Sequence, residues 1–319
     1  MKHAVKIAAL MAAGLMLGSA ATAPAYADGK PQLAFVVNIA ADFWKAAEAG
    51  MAKAQAELPD YQLVFKYPDQ STVAIQNQIM DDLVTAGVKG IMVSAIDPNA
   101  TDNLNKIAGE TAFFTTDSDA PQSKRIAYIG SSNVSLGNQA GEIAKAAMPK
   151  GGKCMGFVGH LDAANYKERA QGFNEGVKGT GITLVDTRSD GGDQTAAKKN
   201  VEDVLVANPD INCMVGFYSY STPAIYQALS NAGKLGQITV VAFDDDPITL
   251  GGVKDGSIAG TVVQQPFEWA YQGFKLMAAY LKGDKSGIPA DGVIIVPGKI
   301  LHAADIDGYV ENLKKMQGK

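Results

Sequence analysis

The sequence predicts an α/β protein built from two doubly wound parallel-sheet lobes. Short apolar segments alternate along the chain with amphipathic helical segments. The apolar segments are continuous, which is typical of parallel strands that are covered by helices on both faces. The alternation restarts after residues 126–130, so two strand–helix blocks of similar size follow one another. Two such blocks predict two lobes, each with its own sheet.

The first block contains four predicted strands and three predicted helices. Its strands are the segments 32–38, 62–66, 90–95 and 112–116. The first helix is expected to have Asp42 as its N-cap and to end near Leu58, before Pro59. The second helix spans 72–86 with its apolar residues at helical spacing, and the third ends near residue 108.

The second block repeats this pattern. Its predicted strands are 153–158, 182–187, 211–217 and 238–243, and its predicted helices are 164–178, 193–207 and 222–232. Ligands of open parallel sheets bind beyond the carboxyl ends of the strands. The candidate site therefore comprises the strand tips, which are Asn38, 94–97, Asp117, 159–162, Tyr218 and Asp244.

The N-terminus has the three regions of a secretory signal peptide. Lys2 and Lys6 supply positive charge, residues 7–17 are an apolar run, and residues 25–27 read Ala-Tyr-Ala, a small-x-small cleavage site. The apolar run is too short for a membrane-spanning helix. A buried N-terminal helix is the alternative, but the order of the three regions favours export. We predict cleavage before Asp28 and a periplasmic mature protein.

Composition excludes several classes of function. Without the signal peptide, residues 1–27, the chain has 292 residues, which suits two domains better than one core. The formal net charge is −5, or −7 without the two lysines of that segment. An acidic chain is a poor binder of polyanions, which argues against nucleic acid as a partner. The G-x-S-x-G, P-loop, H-E-x-x-H and G-x-G-x-x-G patterns are all missing from the sequence.

The two cysteines, Cys154 and Cys213, each begin an apolar run that is predicted to be a buried strand. An oxidising compartment permits a disulfide between them if the two strands are neighbours in register. The alternative is two buried thiols that act as small apolar residues. Because C-x-x-C is missing and no histidine is close in sequence, thiol catalysis is not expected.

Five short motifs occur at or near the strand tips. In order they are Asn38-Ile39-Ala40-Ala41-Asp42-Phe43-Trp44, Thr116-Asp117-Ser118-Asp119-Ala120-Pro121, Glu168-Arg169-Ala170-Gln171-Gly172-Phe173, Val241-Ala242-Phe243-Asp244 and Val263-Gln264-Gln265-Pro266. This series resembles the type I periplasmic sugar-binding proteins, such as the ribose- and galactose-binding proteins of ABC importers. The resemblance covers essentially the whole mature chain. It is specific for the family but not for the sugar.

The resemblance implies a three-crossing hinge between the lobes. Lobe 1 is expected to comprise residues 28–131 and 265–292. Lobe 2 is expected to comprise residues 134–262 and 296–319. The three crossings then lie near 131–134, 262–265 and 292–296.

The resemblance also assigns ligand-binding roles, and these suit a sugar chemically. Carboxylates accept hydroxyl protons, a guanidinium donates to two oxygens, and aromatic rings cover C–H faces. The assigned residues are Phe43 and Trp44 as an aromatic platform, Asp117 and Asp244 as acceptors, Arg169 as the donor fork, Gln264 as an amide beside the hinge, and Asn38 and Ser94 as secondary polar contacts.

Each assigned residue type also has a purely structural interpretation. The two aromatic residues open an amphipathic helix, where aromatic side chains commonly belong to the core. The two aspartates at strand tips are candidate helix caps. Arg169 lies within a predicted helix and could pair on the surface with Glu168 or Glu175. The run 244–246 is three aspartates, but adjacent carboxylates cannot all face one ion, so no metal site is expected.

Two positions depart from the ribose-binding pattern. Tyr218 and Ser219 stand where that pattern has an Asn-Asp pair, and Gly192 stands where it has an aromatic residue. One wall therefore loses a ring while another gains a phenol, which points to a ligand other than ribose and adds Tyr218 to the predicted site. Tyr220 is a further candidate. Residues 193–194, Asp-Gln, are expected either to reach the cleft or to cap the next helix.

We predict a monomeric, exported solute-binding protein that captures a monosaccharide or polyol between its lobes and delivers it to an ABC permease. No cofactor and no catalysis are expected. The alternatives are a sugar sensor subunit for a chemoreceptor or sensor kinase, and a glycoside-active enzyme. The enzyme is disfavoured because the arginine is expected to hold the pKa of both aspartates low. A sugar-responsive repressor would need a DNA-binding segment where the signal peptide stands.

Overall fold

The computed structural model describes residues 29–316, which form two α/β lobes with a six-stranded sheet each. The predicted fold class is therefore confirmed. The predicted signal peptide, residues 1–27, lies outside the described residues. Within residues 29–316, no helix is both long and apolar enough to cross a membrane.

The first part of the chain alternates strands and helices as the sequence predicts. Its elements are β1 (Gln32–Val36), α1 (Lys45–Glu57), β2 (Gln62–Lys66), α2 (Val73–Thr85), β3 (Gly90–Val93), α3 (Thr101–Glu110), β4 (Ala112–Thr116) and β5 (Ala127–Gly130).

The second part begins with a helix that the sequence analysis does not include. Its elements are α4 (Asn133–Ala147), β6 (Gly152–Val158), α5 (Ala164–Gly176), β7 (Ile182–Ser189), α6 (Gln194–Ala207), β8 (Cys213–Gly216), α7 (Ser221–Asn231), β9 (Thr239–Phe243), α8 (Pro247–Asp255), β10 (Gly260–Val263), α9 (Pro266–Leu281), β11 (Val293–Ile295), β12 (Lys299–Leu301) and α10 (Ile306–Met316).

The two sheets have matching strand orders, β11-β5-β4-β3-β1-β2 in lobe 1 and β12-β10-β9-β8-β6-β7 in lobe 2. All pairs are parallel except the antiparallel pair of β10 and β12. Helix α9 packs on α1 in lobe 1, and α4 packs on α5 in lobe 2. Strands at the same place in the two orders thus occupy equivalent positions in the two lobes.

The chain passes between the sheets three times. The passages join β5 to α4, β10 to α9, and β11 to β12. Strand β11 pairs with β5 in the sheet of lobe 1, with Val293 opposite Tyr128. Residues 293–295 therefore belong to lobe 1, and the third crossing lies at 296–298 instead of beginning at 292.

Each sheet is covered on both faces because successive residues of a strand point to opposite sides. In β1, Leu33 and Phe35 join the cluster that contains Trp269 and Phe274 of α9. Ala34 joins a second cluster on the other face, together with side chains of α2 and α3. This double burial explains why the strands appear as continuous apolar runs in the sequence.

Asp193 and Asp42 are both candidate helix caps, and only Asp193 is one. Asp193 caps α6, and its Oδ1 accepts from the backbone N–H of Thr195 at 2.8 Å. Asp42 does not cap α1, because it lies inside a short 3-10 turn that precedes that helix. Its carboxylate instead pairs with Lys45 at 2.8 Å on the surface.

The two cysteines form a disulfide in lobe 2. Cys154 of β6 lies directly opposite Cys213 of β8 in the parallel register, with their Cα atoms 4.2 Å apart. Both side chains are fully buried in the core. The open choice between a disulfide and two thiols is therefore decided by strand neighbourhood.

Removing this disulfide should destabilise lobe 2. The bridge closes a loop with a sequence separation of 59 residues. The loss of unfolded-state constraint from such a loop is worth about 4 kcal/mol in the chain-entropy model, so we expect a decrease of roughly 2–4 kcal/mol in the free energy of unfolding of the Cys154→Ala/Cys213→Ala variant. Urea unfolding with and without reductant measures it. Reductant should lower the wild-type midpoint and leave that of the variant unchanged, and an unaffected wild type would contradict the assignment.

Candidate functional site

A cavity lies between the lobes at the carboxyl ends of the strands. Its empty volume, which includes space open to solvent, is about 310 Å³. Its lining comes from both lobes and consists of Asn38, Ile39, Ala41, Phe43, Trp44, Asp117, Asn165, Arg169, Tyr218, Ser219, Tyr220, Asp244 and Gln264. The cleft is thus closed to a narrow slot.

Eight of the nine side chains predicted from the sequence line this cavity. The exception is Ser94, which is fully buried and lies behind Asp117. Its Oγ donates to Asp117 Oδ2 at 2.8 Å. Ser94 therefore orients a carboxylate of the cavity instead of forming part of the wall, which corrects the role expected for it.

Asp117 and Asp244 occupy equivalent positions, directly after β4 and β9. Both have left-handed backbones, with φ of 54° and 67°. A non-glycine residue in this region costs free energy and is held there by its surroundings. The Asp117 carbonyl accepts from Tyr128 Oη at 3.1 Å and from Asn133 Nδ2 at 3.0 Å. Neither aspartate is a helix cap, so that interpretation is wrong.

Asp117 is the most highly coordinated carboxylate of the site. Besides the bond from Ser94, its Oδ2 accepts from Asn165 Nδ2 at 3.1 Å. Its Oδ1 lies 3.4 Å from Arg169 Nη2. Since Asp117 belongs to lobe 1 and the two donors belong to α5 of lobe 2, these contacts cross the cleft.

Arg169 is the only basic side chain in the lining, and it is 1% exposed. Its Nε donates to Asn133 Oδ1 at 2.9 Å, and its Nη1 donates to the carbonyl of Phe217 at 2.7 Å. Its Nη2 donates to Gln264 Oε1 at 2.9 Å. The guanidinium also lies 4.9 Å from the ring centroid of Phe243. The alternative of a surface pair with Glu168 or Glu175 is therefore wrong.

Asp244 and its two neighbours point in three directions. The Asp244 Oδ1 atom accepts from Gln264 Nε2 at 2.9 Å. Asp245 accepts from Tyr309 Oη at 2.8 Å, and Asp246 accepts from the backbone N–H of Ile248 at the start of α8. The three adjacent carboxylates consequently have three separate structural partners.

Burial dominates the electrostatics of the two aspartates. It raises the pKa of Asp244 to about 7, and it raises the pKa of Asp117 above its usual value. The charge of Arg169 and the hydrogen bonds lower both pKa values by less. The expectation that the arginine holds both pKa values low is therefore wrong, because one guanidinium offsets only part of the cost of removing two carboxylates from water.

Phe43 and Trp44 form an aromatic wall of the cavity. The sequence left open whether they belong to the core or to the cleft, and Trp44 belongs to both. Trp44 is 1% exposed and belongs to the lobe 1 core, where its ring meets Phe35 edge-on at 5.6 Å between centroids. It also lines the cavity, as does the half-buried Phe43 beside it. On the facing wall, Tyr218 Oη donates to Asn165 Oδ1 at 3.0 Å, which confines the phenol that stands where the ribose-binding pattern has asparagine.

Asn165 is the main polar residue of the site that the sequence analysis missed. It is 2% exposed and contacts both Asp117 and Tyr218. It stands four residues before Arg169 on α5. Side chains at i and i+4 share a helix face, so that spacing was a usable signal.

A second set of contacts joins the lobes at the edge far from the crossings. Ser71, after β2, lies 2.7 Å through its Oγ from Nε2 of His160, after β6. Ile39 of lobe 1 packs into the core cluster of lobe 2. A Cβ on Gly192, after β7, would lie 2.7 Å from Ser71 Cβ. We call Ile39, Ser71, His160 and Gly192 the clasp.

The hydrogen bonds of the clasp fix the roles of its polar atoms. Ser71 has one hydroxyl proton and two neighbours, the backbone carbonyl of Asn38 at 2.5 Å and the His160 ring. A carbonyl can only accept, so Ser71 donates to it and accepts a hydrogen bond from His160 Nε2–H. Burial lowers the pKa of His160, and both the neutral Nε2–H tautomer and the charged ring can donate this bond.

Comparison with known proteins places this geometry in a family. A family model described as "Periplasmic binding protein domain" matches residues 33–285. The ribose import binding protein of Escherichia coli K12 is 26% identical over 295 residues, covering 91% of this chain and 98% of the relative. The D-allose-binding periplasmic protein of the same organism is 28% identical, covering 87% and 91%.

Solved structures agree with the fold. A solute-binding protein of an ABC transporter from Burkholderia graminis, in complex with D-arabinose, superposes with a TM-score of 0.80 at 27% identity, covering 88% of this chain and 99% of that one. A glucose-galactose binding protein from Geobacillus stearothermophilus gives 0.80 at 25% identity, covering 86% and 98%. With the family model matching most of the chain, this protein belongs to the periplasmic binding protein family, in its type I two-lobed form.

Proposed function

We propose that this protein is an exported carrier that captures a monosaccharide or a related polyol between its lobes and delivers it to an ABC permease. The observation that carries the proposal is the interlobe cavity, in which Asp117 of one lobe meets Arg169 and Asp244 of the other beside Trp44. The names of the relatives support the sugar class, since they bind ribose, allose, arabinose, glucose or galactose.

The chemistry of the lining suits an uncharged polyhydroxyl ligand. The two carboxylates can accept hydrogen bonds from hydroxyl groups, and the side-chain amides of Asn165 and Gln264 carry both donors and acceptors. The guanidinium is already engaged by four acceptor atoms, so it offers little to an anionic ligand. Phe43 and Trp44 supply the apolar surface that the C–H face of a sugar needs.

Closure provides the transport mechanism. The slot between the lobes is narrow, so we infer that ligand binds to an open form and then favours the closed one. A ligand shifts such an equilibrium only through contacts that it gains on closure. The permease is then expected to recognise the closed form and to release the sugar by separating the lobes. Docking on a chemoreceptor or sensor kinase instead would use the same closure.

A thermal-shift screen followed by titration calorimetry tests the proposed function. The panel is D-ribose, D-allose, D-arabinose, D-glucose, D-galactose, erythritol and sorbitol. A sugar that binds the folded state should raise Tm, with a Kd near micromolar, which corresponds to about −8 kcal/mol. Asp117→Asn should weaken binding by about 2–4 kcal/mol, because a charged acceptor of the network is lost.

The control for that substitution is Asp97→Asn, a tip carboxylate of lobe 1 that bonds to the backbone of Asn99 outside the cavity. It should bind as the wild type does. Release of the phenol from nitrophenyl glycosides by the wild-type protein would favour an enzyme over a carrier. A wild type that none of the panel stabilises would contradict the proposed ligand class.

Ligand affinity should decrease as the pH falls through about 7. The pKa of Asp244 is raised to about 7 by burial, and hydroxyl donors from a sugar favour its ionised form. Relative to the closed form without ligand, binding then lowers this pKa. Affinity for the closed form is therefore fully present above pH 7 and declines by up to about tenfold per pH unit below it. Calorimetry from pH 8.5 to pH 5.5 measures the slope, and Asp244→Asn should flatten it. Equal slopes for both proteins would exclude Asp244 as the cause.

The clasp should slow ligand release. Its Ser71–His160 bond exists only when the lobes are closed, so removing it should raise koff about three- to tenfold with little change in kon, as the loss of one neutral hydrogen bond implies. Stopped-flow measurements on Ser71→Ala, His160→Ala and the double variant test it. The two single effects should not add, since either change breaks the same bond. Additive effects, or unchanged rates, would show that the Ser71–His160 bond does not control ligand release.

A further inference from the structure

Trp44 and Asn38 line the cavity, and each carries a buried polar atom that has no partner among the described residues. Among the residues that the structure describes, neither Trp44 Nε1 nor Asn38 Oδ1 has a hydrogen-bond partner. The two side chains are 1% and 3% exposed, and both line the cavity. Buried polar groups are nearly always paired, and leaving one unpaired costs free energy. Two unpaired atoms beside the same cavity indicate that their partner enters with the ligand.

The two atoms are complementary to a hydroxyl group. The indole nitrogen can only donate and the amide oxygen can only accept, whereas a hydroxyl does both. A protonated amine could satisfy Asn38 but not Trp44, because an ammonium group has no acceptor. An ether or carboxylate oxygen could satisfy Trp44 but not Asn38.

We propose that Trp44 is a specificity-determining residue whose Nε1–H donates a hydrogen bond to one ligand hydroxyl, with Asn38 Oδ1 as the acceptor on the same wall. This inference rests on the proposed function and deepens it. Aromatic contact alone would make Trp44 interchangeable with phenylalanine. A donated hydrogen bond makes the two residues different, and it makes the site select for a hydroxyl at one position of the sugar.

The chain contains a matched control, because Trp269 is its only other tryptophan. Trp269 is fully buried in the same lobe 1 core cluster as Trp44. Its Nε1 likewise has no partner within residues 29–316, but Trp269 lies outside the lining of the cavity. Trp269→Phe therefore removes an equivalent unpaired indole N–H from the same core, at a residue outside the cavity lining. It keeps an aromatic ring at the position that packs against Phe43, where the two ring centroids are 6.1 Å apart.

The test measures Kd for wild type, Trp44→Phe and Trp269→Phe with the sugar of the panel that binds most tightly. Trp44→Phe should weaken binding about tenfold, as loss of a buried neutral hydrogen bond implies, while Trp269→Phe should bind as the wild type does. Thermal unfolding shows that both variants remain folded. In Trp269→Phe, Trp44 is the single tryptophan, and its emission on selective excitation should change on saturation with the sugar.

A set of monodeoxy derivatives of the same sugar separates direct contact from a general packing effect. The wild type should lose affinity for one derivative in particular, and Trp44→Phe should show no further loss for that derivative while still discriminating among the others. Equal binding by Trp44→Phe and wild type would overturn the inference but leave the carrier function intact. So would a uniform loss across all derivatives. A wild type that binds no member of the panel would overturn the carrier function and this inference together.

Discussion

The site depends on one buried guanidinium that joins the two lobes. Arg169 is anchored in lobe 2 by Asn133 and the carbonyl of Phe217, and its remaining donor faces Asp117 of lobe 1 and Gln264 at a crossing. A buried cation with this many partners is strongly destabilised when one is removed. In the closed arrangement, the Arg169 guanidinium therefore stabilises both the packing of lobe 2 and the contact between the lobes.

The carboxylates of Asp117 and Asp244, which lie near this cation, occupy equivalent positions in the two lobes. They follow β4 and β9, which hold the third place in their respective sheets. Both residues adopt a left-handed backbone, which turns the chain sharply at the strand tip and leaves the carboxylate at the cavity. The left-handed backbone and the buried charge both cost free energy. The packing of the two sheets offsets this cost. A ligand that donates hydroxyl protons offsets part of the electrostatic cost.

Closure is supported at both ends of the cleft. The three crossings hold one edge, where β5, β10 and β11 end. The clasp holds the other, beside the outer strands β2 and β7. Gly192 belongs there because the closed lobes leave no room for a Cβ against Ser71, so an aromatic residue at this position could not coexist with the same closure. The departure from the ribose-binding pattern at this position is thus coupled to how the lobes meet.

The fold class, most of the strands and helices, and eight of the thirteen side chains that line the cavity followed from the sequence, because continuous apolar strands and polar tips are local patterns. How those side chains act depends on the packing around them. Ser94 proved to orient Asp117, Asn165 joined the site through its helix face, and Cys154 met Cys213 through strand order. The raised pKa values of the two aspartates also required the fold. Desolvation depends on everything packed around a group, whereas the sequence shows only its neighbours along the chain.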